Sequence, residues 1–305
     1  MMQTSAAFHE FMTGWGWVFA SVIAAVFSAG FFLVNQYLKQ PGHLLVFWMR
    51  VIVVVAMSPL MLYIELPTDP RFYVAVILTV FAGTFADVRT FNAAAKFGGG
   101  VVSRVQPVTV WCAFLLWFFF DPGLLARYAA HPANTAVILA ALAGCVNFAS
   151  HMNKCEVTRA ALIYTAPALV GYTFTTVLNK YAMDHGPLEG AVYGYMYIQS
   201  FTAVLVTGIY SLVKGVGPAT TVSWVNKKML TAVLLAAAAW TCHMIFKNYA
   251  MAFTPNPSYQ AAINLSTPLF ILLFYALARH KEEARVMPGL GIVACAIVLA
   301  LAAGR

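Results

Sequence analysis

This chain has little charge. Only 9% of its 305 residues are Asp, Glu, Lys or Arg, against roughly 25% in soluble proteins. That shortage excludes an ordinary soluble domain, which needs a charged surface. Acids are scarcest, at 10 against 18 Lys and Arg. The five cysteines (Cys112, Cys145, Cys155, Cys242, Cys295) show no Cys-x-x-Cys spacing. Four of them lie inside apolar segments, which argues against a disulfide or metal framework and for buried small residues. The chain also lacks a paired-carboxylate prenyl-binding motif, a His-box, a His-Glu-x-x-His and a Gly-rich phosphate loop. Those absences speak against an enzyme, imply no cofactor and leave no site for ATP. No Lys or Arg precedes the first apolar run and no Ala-x-Ala-like cleavage site follows it, so the N-terminus does not read as a secretory signal peptide.

What the chain has is apolar length. Apolar residues make up 62% of it, in runs of about 20 residues, the length that crosses the bilayer core. The reading is an all-α integral membrane protein with ten transmembrane helices. The spans fall at 15–38, 43–64, 71–95, 100–120, 134–152, 161–182, 190–213, 229–252, 257–279 and 286–304. The longer connections, 121–133 and 214–228, are polar or contain Pro and Gly. A formal charge of +8 then belongs mainly to loops and lipid headgroups, with no nucleic acid implied. The localisation that follows is multi-pass, in a bacterial inner (plasma) membrane.

Echoes divide the chain in two. Asn35-Gln36-Tyr37 returns as Asn179-Lys180-Tyr181, and each copy precedes a Pro-Gly or Gly-Pro break at Pro41-Gly42 and Gly186-Pro187. Asn92 to Phe97 reads Asn-Ala-Ala-Ala-Lys-Phe, and Asn248 to Phe253 reads Asn-Tyr-Ala-Met-Ala-Phe. Pro107 in span 4 answers Pro268 in span 9. The halves are 1–155 and 156–305, with five spans each. Because five is odd, the second half enters from the opposite side. That is an inverted five-plus-five repeat, the architecture of alternating-access transporters.

These motifs give the chain a resemblance to the drug/metabolite transporter superfamily, in its ten-span form with two EamA-like repeats. The residues that carry it are Arg50 in Phe-Trp-Met-Arg-Val-Ile after a Pro-Gly turn, the Asn-Ala-Ala-Ala-Lys-Phe-Gly end of span 3, and the mid-helix prolines of spans 4 and 9. The usual acid closing span 4 is present only as Asp121. The resemblance implies that spans 1–4 and 6–9 surround a central cavity, with spans 5 and 10 at the periphery. Small residues at Ala140, Gly144, Ala296, Ala300 and Gly304 fit a scaffold or a homodimer face there.

A charge inside a span costs at least about 2.5–3.5 kcal/mol on insertion scales, so each such residue is a candidate for function. The cations are Arg50, Arg89, Arg104 and Lys247, with Lys180 near the end of span 6, and the acid is Asp87. Arg89 points to a different face of the helix from Asp87, so Arg50 or Arg104 is an equally good partner for that acid. The positive excess favours an anionic substrate, since arginine holds phosphate or carboxylate with two hydrogen bonds. Other readings stay open: Arg50 as a brace between helices, and Arg104 and Lys180 reaching the interface. In span 8, Trp240, His243 and Lys247 share one helical face, fit for a binding wall or for a packing seam. His243 and Asp87 are candidates for proton coupling. Span 7 offers Tyr193, Tyr197 and Ser200 on one face and Tyr195, Gln199 and Thr202 on another. Gln260 and Asn264 lie near the helix-breaking Pro268. Asn35, Asn179 and Lys180 read as gate or hinge positions at equivalent ends of spans 1 and 6.

The sequence therefore predicts a secondary transporter of a small organic anion or polar metabolite, plausibly phosphorylated, gripped by Arg89 and Lys247 with Arg50 or Arg104 in support. Tyr197 and Trp240 would add aromatic contacts. Exchange, proton coupling or facilitated diffusion are all open, as are a monomer and a homodimer. An exporter of amino acids or drug-like amphipaths is the alternative. A membrane enzyme or lipid-handling protein is a third reading, of another class. The loop charges put both termini outside, whereas the family resemblance implies cytoplasmic termini.

Overall fold

The computed structural model describes residues 6–98, 106–151, 158–213, 227–278 and 286–303. Every regular element among them is helical. In chain order these are α1 Ala6–Leu38, α2 Gly42–Met57, α3 Pro70–Phe97, α4 Pro107–Trp117, α5 Pro122–Ala130 and α6 Pro132–His151. Then come α7 Arg159–Met183, α8 Leu188–Val213, α9 Lys227–Phe253, α10 Pro257–Asn264, α11 Thr267–Leu277 and α12 Val286–Ala303. Seven stretches are long and apolar enough to cross a bilayer: α1, α3, α6, α7, α8, α9 and the α10–α11 pair. The chain is an all-α, multi-pass membrane protein.

Helix ends follow local chemistry. Pro70, Pro107, Pro122 and Pro257 sit at first-turn positions, where a missing N–H costs nothing. Asp69, Asp121, Thr158 and Asn256 cap α3, α5, α7 and α10 with side-chain oxygens on free backbone N–H groups. At the end of α1, Lys39 takes a left-handed turn with φ 49°. Asn35 fixes that turn, accepting from the Gln40 N–H at 2.7 Å and donating to the Gln40 carbonyl at 2.9 Å.

Three predicted boundaries change. The sequence predicts span 2 over 43–64, but α2 ends at Met57, because Pro59 has no N–H to continue the ladder. A single tight turn at Leu60–Leu62 follows. The predicted loop 121–133 is mostly α5, which turns 96° away from α4. Span 9 is broken: Pro268 cannot donate to the Asn264 carbonyl, and the Thr267 hydroxyl takes that carbonyl at 2.7 Å instead. The first part of predicted span 4 lies outside the described residues.

The helices pack in pairs: α3 along α7, α1 along α9, α2 against α8, α4 against α10 and α6 against α12. Small residues permit this closeness, which matters where lipid removes the hydrophobic drive between helices. A Cβ on Gly171 of α7 would stand 2.8 Å from the Ala82 carbonyl oxygen of α3. α1 buries Ala24, Ala25 and Ala29, and α9 buries Ala232, Ala236 and Ala237.

Candidate functional site

The best-formed cavity lies among α1–α4 and α7–α10 and holds about 110 Å³. None of its lining residues comes from α6 or α12. At about 10–15 Å³ per water-sized sphere, that is room for a small metabolite or a cluster of waters.

An ion pair forms one wall. α2 places Arg50 mid-helix and α3 brings Asp87 to meet it, Nη2 donating to Oδ2 at 2.7 Å. Arg50 is only 1% exposed. Its guanidinium carbon lies 3.7 Å from the Trp240 ring centroid, so an aromatic face from α9 replaces water on one side of the charge. On the far side of the acid, the Tyr172 hydroxyl of α7 stands 3.2 Å from Asp87 Oδ1 and 2.9 Å from Thr90 Oγ1. The pair is monodentate. Arg50 Nε and Nη1 are buried with no hydrogen-bond partner among the described residues.

α9 supplies the second wall. Trp240, His243 and Lys247 recur at helical spacing and all line the cavity. His243 Nδ1 lies 2.9 Å from the Ala24 carbonyl oxygen of α1. A carbonyl only accepts, so Nδ1 carries a proton and donates it to that oxygen. Lys247 makes no hydrogen bond or ion pair among the described residues. Among the described lining residues, Arg50 and Lys247 stand against the one acid Asp87, a positive excess.

The rest of the polar lining is neutral. α8 contributes Gln199 and α10 contributes Gln260 and Asn264. Gln199 Oε1, Gln260 Nε2 and Asn264 Oδ1 are buried without partners among the described residues. Phe31 and Phe32 of α1 bound the space on an apolar side.

Several sequence candidates lie elsewhere. Arg89 does not line the cavity; its Nε donates to the Tyr164 carbonyl of α7 at 2.9 Å and its charge lies 4.9 Å from the Tyr164 ring. Two residues along a helix is about 200° of rotation, so Asp87 inside puts Arg89 outside. Tyr197 is turned away for the same reason and packs beside the apolar core, while Tyr195 and Gln199 on the other face of α8 line the cavity. Lys180 does not line the cavity: it is buried, 2.5 Å from Asp184 Oδ1 and beside the Trp117 ring. Asn35 and Asn179 are interhelical fasteners outside the cavity. Asn35 donates to the Phe91 carbonyl of α3 at 3.0 Å, and Asn179 donates to Asn248 Oδ1 of α9 at 2.9 Å. Arg104 lies outside the described residues. Tyr172 escaped notice in the sequence because a lone tyrosine in an apolar helix carries no signal of its own; the need of buried Asp87 for a second partner was the available clue. No protein-family model matches the chain, and no curated protein matches it significantly.

Proposed function

We propose that the protein is a ten-helix secondary transporter with an inverted five-plus-five repeat, carrying a small organic anion across the membrane by alternating access. The five crossings of one half are α1, α2, α3, α4 and α6; those of the other are α7, α8, α9, α10–α11 and α12. Helix packing supports the repeat. Exchanging equivalent helices turns α3–α7 into α9–α1 and α3–α8 into α9–α2, both packed pairs. The pairs α2–α8, α4–α10 and α6–α12 map onto themselves. Hydrogen bonds follow the same exchange. Asn35 of α1 reaches α3 and Asn179 of α7 reaches α9. Asn92 of α3 accepts from Gly42 of α2, and Asn248 of α9 donates to the Val192 carbonyl of α8. A polar cavity between two such halves is the arrangement that alternating access requires.

One observation carries the choice of substrate: Lys247 lines the cavity with no ion pair of its own among the described residues and shares the single acid Asp87 with Arg50, which keeps two unused donor nitrogens. An uncompensated cation away from water is costly, and an anion offsets it. Arg50 and Lys247 take the gripping role in this reading, and Arg89 has none.

The test is thermal stabilisation of the purified protein by matched panels of anions, zwitterions and cations, followed by counterflow in proteoliposomes. Anions stabilise the protein, and the effect disappears in Lys247→Met. Stabilisation by cations alone would overturn the proposal.

A further inference from the structure

The three amides that line the cavity narrow the anion further, on the basis of the anion reading above. A carboxamide offers two donors and an oxygen acceptor. Gln199 and Gln260 are 6% and 2% exposed, and neither they nor Asn264 makes a side-chain hydrogen bond among the described residues. Buried polar groups are normally paired. Three unpaired amides around one cavity, drawn from two helices, are more than helix packing needs. Elsewhere in this protein buried amides are used for packing and are bonded, as Asn35 and Asn248 are.

The amides constrain the ligand's chemistry. Phosphate, sulfate or a plain carboxylate offers mainly acceptors and leaves the amide oxygens unmet. A hydroxyl both donates and accepts, as an amide does, so the two match in either amide orientation. An ammonium would also donate, but it would add positive charge where there is already an excess. The carboxylate best placed to receive it, Asp87, is held by Arg50 and Tyr172. Space sets the size: about 110 Å³ corresponds to roughly seven to eleven water-sized groups.

We propose that the cavity binds a small hydroxylated carboxylate of about three or four carbons, its carboxylate between Arg50 and Lys247 and its hydroxyls on Gln199, Gln260 and Asn264.

Calorimetric and thermal-shift titrations of the purified full-length protein test this with five probes: glycerate, trihydroxybutyrate, butyrate, inorganic phosphate and serine. The hydroxylated acids bind about ten-fold or more tightly than butyrate, the value of at least one good hydrogen bond. In Gln260→Leu/Asn264→Leu that preference collapses while butyrate binding stays. The unliganded melting temperature of this variant holds or rises, because unmet polar groups are removed; a merely structural role for the amides predicts a fall. Gln199→Met is the second variant, with the same expected pattern, should the double variant fail to fold. Equal binding of butyrate and glycerate would overturn the hydroxy-acid assignment and leave the anion reading intact. Phosphate binding most tightly, or serine binding without glycerate, would do the same. Failure of every anion, with binding of cations, would overturn both.

Discussion

The cavity wall and the α6–α12 seam are both buried, yet they are built from opposite materials. The wall holds an ion pair, a free lysine and three unpaired amides. The seam buries Ile138, Ala141, Leu142 and Cys145 of α6 against Ile292, Ala296 and Leu299 of α12, and no ion pair crosses it among the described residues. One region loses stability to unmet groups, and the other gains it from apolar contact and a hydrogen bond from Asn134 of α6 to the Ala302 carbonyl of α12. The difference teaches that burial here has two uses, and substitution separates them: seam variants change stability without binding, and wall variants can change binding without loss of stability.

The largest effect is expected at the ion pair. Asp87→Ala strands Arg50 in a buried site and costs about 3–5 kcal/mol, seen as a large drop in the denaturation midpoint. Replacing both partners, as Arg50→Met with Asp87→Leu, restores much of that stability but not anion binding. If the double variant is as unstable as the single, the pair is not the source of the cost. Next comes the seam. A Cβ at Gly291 would stand 2.7 Å from the Phe148 ring, so Gly291→Leu overpacks α6 against α12 and costs about 1–3 kcal/mol. Ligand titration of that variant matches the parent; a shifted affinity would break the contrast between the regions. Lys247→Met is the reverse case. Its melting temperature holds or rises while anion affinity falls by about ten-fold or more, as for a lost charge-assisted contact.

The smallest effect lies outside both regions, at the cap of α3. Arg71 holds Asp69 low, chiefly through side-chain hydrogen bonds, at a pKa of about 2. A folded-state pKa below the unfolded value of about 3.9 means a contribution fully present above that value and lost as pH falls through about 2. Asp69→Ala therefore gives the smallest shift of the set, and one that vanishes at the acid end. A shift as large as that of Gly291→Leu would show that the loop before α3 is structural.

Composition and run length made the membrane class legible, because a bilayer imposes one length and one chemistry on every crossing. The face of α9 was legible because Trp240, His243 and Lys247 keep helical spacing. Arg50 and Arg89 could not be told apart by type; they differ only in which face Asp87 occupies, and that is decided by the rotation of α3 against α7. The same ambiguity favoured Tyr197 over its neighbours Tyr195 and Gln199. α5 was hidden because a short helix of nine residues between prolines looks like a polar loop. The shortness of α2 was visible in principle at Pro59, but Leu60 to Ile64 continues the apolar pattern and masks the stop.

The Arg50–Asp87 pair has a consequence for biogenesis. Both partners lie on helices that leave the ribosome early, so the two charges can neutralise each other when α2 and α3 meet in the bilayer, lowering the cost of inserting either one. Tyr172 and Trp240 are synthesised later and close around a pair already made. Lys247 comes later still, seven residues after Trp240, and finds the acid already taken. Its ammonium meets an acid already hydrogen-bonded to Arg50 and Tyr172.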